Sequence, residues 1–108
     1  MISKELLSEV LGIQVLNIDI NESVVLIKHY VEIHQLSKWN IYELVHKCKE
    51  WAINQGYQFE IYIQCNTLCD IRLGKCGYGW DIITMLNMPE KEAIFKVCQW
   101  ILDNKDKK

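Results

Sequence analysis

A single proline and five glycines in 108 residues, three of those glycines crowded into residues 74–79, leave no stretch of linker or low-complexity composition. The chain also lacks any apolar run near the roughly 20 residues of a membrane-spanning helix. Its start, MISKELLSEVLG, places Lys4, Glu5 and Glu9 where a signal peptide needs an unbroken apolar centre. The expectation is a soluble, cytoplasmic protein. Charge of one sign is missing too: the formal net charge is -2, with lysines scattered among acids. Counterion release on nucleic acid needs a clustered basic surface, so nucleic-acid binding is disfavoured. Five cysteines make an odd number. In a reducing compartment they are expected as thiols rather than as a disulfide framework.

What the sequence has is enough apolar material for one core. Half of the residues are apolar and 24% are charged, which fits one globular domain over residues 1–104 with a frayed charged tail at 105–108. Leu6, Leu7, Val10 and Leu11 recur at helical spacing between a candidate N-cap, Ser3, and a stop at Gly12. Residues 13–20 and 24–33, rich in β-branched side chains, flank the polar Asn21-Glu22-Ser23 and predict a hairpin. Asn40 is placed to cap a long helix that Gly56 ends, with Ile41, Leu44, Val45, Cys48, Trp51 and Ala52 on one stripe.

Residues 57–65 and 68–73 alternate about an Asn66-Thr67 turn and predict a second antiparallel hairpin. Tyr57, Phe59, Ile61, Ile63 and Cys65 face inward on one strand, and Cys69, Ile71 and Leu73 on the other. Asp81–Thr84 reads as a short edge strand. Asn87, Pro89 and Glu90 form a helix-start pattern, followed by the stripe Ala93, Ile94, Val97, Cys98 and Ile101. The fold class is therefore α+β: an antiparallel four- to five-stranded sheet packed by three helices, order α-β-β-α-β-β-(β)-α. The continuous apolar run Val24–Ile27 favours helices on both faces, as in a three-layer α-β-α sandwich. No internal repeat is visible.

Chemistry-bearing constellations are sparse. Cys65, Cys69 and Cys76 offer only one closely spaced ligand pair where a structural zinc site uses two, and His29, His34 and His46 do not complete it. No metal and no cofactor is expected. Cys48 and Cys98 sit on apolar helix stripes and read as core packing. His46 reads as a surface histidine, and the dispersed carboxylates as solvated faces. The octapeptide LGKCGYGW, residues 73–80, has the order G-x-x-G-x-G and no helix opening after it, so it matches neither phosphate-binding pattern. It reads as a glycine-articulated turn.

The turn reading leaves Tyr78 and Trp80 without a role, and large aromatics are enriched at interface hot spots. Trp39 and Tyr42 likewise fall outside the main stripe of the long helix, whereas Trp51 and Trp100 read as completing the core. Trp39, Tyr42, Tyr78 and Trp80 are the candidate contact residues for a protein partner, either a host protein or a second copy of the chain.

The runs IYELVHKCKEW, FEIYIQCNTLCDIRL and EKEAIFKVCQWIL, preceded by ISKELLSEVLG, resemble in order those of small phage and prophage proteins with an α-β-α sandwich domain. The resemblance implies a compact sheet-and-helix domain in a phage setting and carries over no catalytic residue. Together these readings favour a small non-enzymatic binding protein. One alternative is a ligand-binding or enzymatic domain using the 74–79 loop with a cysteine or histidine. A structural homodimer is the other.

Overall fold

The computed structural model describes residues 2–30, 33–63, 68–75 and 79–104; at residue 34 and residues 79–83 the backbone alone is described. The elements are α1 (Lys4–Leu11), β1 (Gln14–Asn21), β2 (Val24–Tyr30), β3 (His34–Asn40), α2 (Ile41–Asn54), β4 (Tyr57–Ile63), β5 (Cys69–Lys75), β6 (Gly79–Met88) and α3 (Glu90–Asn104). The protein is α+β with three helices, as the periodicities require. The strands, however, form two antiparallel three-stranded sheets, β1-β2-β3 and β4-β5-β6, in place of the expected single sheet of four to five.

Two misread segments account for the difference. Residues 34–40 carry too little apolar alternation to signal a strand, yet they pair along all of β2, from Val24↔Asn40 to Tyr30↔His34. The expected short strand at 81–84 is ten residues long, because its backbone continues through Asn87 to Met88. Asn87 is therefore not the N-cap of the last helix. It has φ 54, and its N–H donates to Asp70 Oδ1 at 2.9 Å. It sits where the β5–β6 register slips between Cys69 and Ile71. A bulge residue in the left-handed region is a position that asparagine tolerates better than most side chains.

Local chemistry sets the helix ends. Ser3 Oγ accepts from the Leu6 N–H at 3.0 Å and donates to Gln99 Oε1 at 2.6 Å, so one hydroxyl caps α1 and ties it to α3. Asn40 Oδ1 accepts from the Tyr42 N–H at 2.8 Å, and the Ile41 N–H donates to Ser23 O at 2.8 Å. The β1–β2 turn thereby anchors the start of α2. Beyond the end of α2, Gly56 takes φ 93, a conformation other L-residues rarely adopt.

Leu6, Leu7, Val25, Ile27, Leu44, Cys48, Ile71, Leu73, Ile94, Phe95 and Cys98 are among the fully buried core residues. They come from all three helices and the central strand of each sheet. Helices contact helices, and α1 lies against β1, α2 against β3 and β4, and α3 against β5 and β6. The Cα envelope is 43 × 36 × 16 Å. That thickness matches one sheet layer and one helix layer roughly 10 Å apart, so the helices cover one face of the strands and the three-layer expectation is not met. On β2 the inward Val25, Ile27 and His29 are buried while Lys28 and Tyr30 are exposed.

Element order also repeats: β1-β2-β3-α2 is followed by β4-β5-β6-α3. Leu44, Val45 and Cys48 on α2 have buried counterparts 50 residues on in Ile94, Phe95 and Cys98 on α3. The two cysteines meet, with Cys98 Sγ 3.5 Å from Cys48 O.

Candidate functional site

The apolar stripe of α2 leaves Tyr42, His46 and Lys49 on an adjoining line, spaced so that they follow one another along the helix surface. Val45 lies between them as a floor. This line borders an open groove of about 600 Å³, closed on its other sides by Ile63 at the end of β4, Leu68 and Cys69 at the start of β5, and Pro89, Glu90 and Lys91 where β6 hands over to α3. Sequence-distant segments form it because the ends of β4, β5 and β6 converge beside the first half of α2.

The groove's apolar side chains are unusually accessible. Tyr42 is 64% and Ile63 75% exposed. For Ile63 this overturns the inward assignment made from alternation. Tyr57, Phe59 and Ile61 pack half-buried against the core as expected, whereas Ile63 stands at the strand end on the groove wall. Lys49 Nζ reaches Glu90 Oε1 at 2.7 Å and so links α2 to α3 across the groove. His46 Nε2 lies 2.6 Å from Glu50 Oε1, one turn along the helix, with both side chains well exposed.

Reactive chemistry is poorly served here. Burial pushes the Cys69 thiol up from its ordinary value, and the Glu90 and Asp70 carboxylates push it further against a smaller opposing effect of Lys49. A thiol held protonated is a weak nucleophile. Among the described residues no group of three or more His, Cys, Asp or Glu side chains is arranged to hold a metal ion. The groove is an apolar trough with a charged rim.

Of the four aromatics singled out from sequence, Tyr42 lines the groove. Trp39 does not: it lies on the inward face of β3, half-buried against the core, with Lys47 Nζ 5.7 Å from its ring centroid. An inward strand position explains why it falls outside the α2 stripe. Tyr78 lies outside the described residues, and Trp80 is a backbone position in β6. Cys65 and Cys76 also lie outside the described residues. Cys48 and Cys98 are buried core thiols, and Trp51 is buried with Trp100 half-buried against the same core. His29, inward on β2, is buried with Nε2 2.6 Å from Ser37 Oγ.

Ile63, Leu68 and Pro89 were not identifiable as site residues from sequence. The available signal was that Ile63 and Leu68 bound a polar tetrapeptide and the one proline marks a strand-to-helix junction. Among the described residues no helix is long and apolar enough to cross a membrane. No family model, curated protein or solved structure matches the chain.

Proposed function

We propose that this chain is a small non-enzymatic binding protein that takes an apolar, acid-flanked segment of a partner protein in the groove beside α2. The carrying observation is that groove itself, where Tyr42 and Ile63 expose most of their apolar surface beside Val45, Leu68 and Pro89. Large apolar side chains around a concave surface are what a docking anchor requires. Among the described residues the rim carries Lys49, already paired with Glu90, and Lys91, so Lys91 is the cation left to meet a carboxylate next to the partner's anchor. The resemblance of residues 2–12, 41–51, 59–73 and 90–102 to phage and prophage proteins supports a phage or prophage setting.

The test places a photo-reactive phenylalanine analogue at position 42 of the full chain in host extract. A discrete crosslinked partner, lost when Ile63→Glu is added, is the expected result. Unchanged crosslinking in that variant, or turnover of a small substrate by the free protein, would overturn the reading.

A further inference from the structure

The outer face of the β1-β2-β3 sheet lies away from the helices and away from the groove. Register places three side chains in one row across it, Asp19 on β1, Leu26 on β2 and Lys38 on β3. Directly opposed residues share a face. Val24 and Tyr30 extend the apolar line along β2, and Leu36 flanks Lys28 from β3. Leu26 is only half-buried, while Tyr30 is 42% and Leu36 68% exposed. Asp19 and Lys38 stand two strand spacings apart, about 10 Å, and neither has an ion-pair partner among the described residues.

The second sheet handles its outer charges differently. There Glu60 and Arg72 sit on adjacent strands and pair within the chain at 3.3 Å. That outer pair of charges is satisfied internally. That of the first sheet is not, and its unpaired charges have opposite signs on either side of an apolar centre.

We infer that this face binds a second copy of the chain, turned about a twofold axis running along β2. Rotation about that axis lays β1 of one copy over β3 of the other. Asp19 of each copy then meets Lys38 of its mate, Leu26 meets Leu26, and Val24 meets Val24. An axis across the strands would oppose Asp19 to Asp19, so the charge pattern selects the first arrangement. Lys28 lies on the axis and meets its own copy, the one unfavourable contact of the arrangement. Three strands of seven or eight residues present a footprint of roughly 14 by 24 Å, about 340 Å² per copy and well under the roughly 800 Å² per partner of a standard specific interface. The dimer is therefore weak and gains population only towards the top of a concentration series. This inference is independent of the groove and survives or fails without it.

Sedimentation of the full chain over a micromolar to sub-millimolar series tests it. The expected result is a concentration-dependent species of twice 12.8 kDa. Asp19→Lys and Lys38→Asp should each weaken it at least roughly tenfold, and the double reversal should restore it. Lys28→Leu should tighten it. Circular dichroism of each variant confirms that the fold is retained. A chain monomeric throughout the series overturns the proposal. So does a dimer indifferent to the single reversals, or one lost in both singles without rescue in the double.

Discussion

Cys98 shows how a residue that invites a chemical reading serves packing instead. Its thiol is pushed far above the ordinary value of 9.0, first by its hydrogen bond with Cys48 and then by burial. The folded state keeps this proton while the unfolded chain releases it above 9.0. The associated stability is thus complete below that pH and declines as pH rises beyond it, by up to about 1.4 kcal/mol per pH unit. Urea midpoints measured on either side of that value should fall on the alkaline side, and Cys98→Val should flatten the fall. Phe95, 2% exposed at the centre of α3, sets the scale for the rest of the core. Phe95→Ala should cost about 3 to 5 kcal/mol in the same measurement.

At the scale of elements, the two long helices were legible because burial of one side imposes a 3.6-residue period, and Ile41 to Ala52 and Ala93 to Ile101 keep it. The inward face of β5 was legible for the same reason with a period of two. The strand at residues 34–40 was not, and of the strand at 79–88 only residues 81–84 were. On β3 the inward positions include Gln35 and Ser37 besides Trp39, so an edge strand buries too little to write an apolar pattern. On β6, Asn87 looks like a helix cap because the same residue type serves left-handed bulges and N-caps. Asn87→Ala should cost about 1 to 2 kcal/mol while Asn87→Gly is near neutral. At Asn40, the N-cap of α2, Asn40→Ala should likewise cost about 1 kcal/mol by thermal or urea unfolding, and Asn40→Gly only a few tenths.

The whole molecule is a thin plate, 16 Å through its Cα atoms, with helices on one side and two sheets on the other. Missing β3 and shortening β6 hid both the separation into two sheets and the repeated β-β-β-α order. The groove was hidden more deeply. Tyr42 could be singled out because it breaks the α2 stripe, but Ile63, Leu68 and Pro89 become neighbours only through the convergence of strand ends, which no local pattern encodes. A plate also exposes more surface for its length than a sphere, leaving room for separate contacts on its groove and its sheet face.

The central claim is that the groove holds a partner's apolar segment. Calorimetric titration of the partner captured at position 42 into the wild-type chain and into Ile63→Glu tests it most directly. Binding to the wild type with at least roughly tenfold loss in the variant is predicted, since a buried unpaired carboxylate at an anchor site costs more than 1.4 kcal/mol. Equal affinity for the two proteins would contradict it.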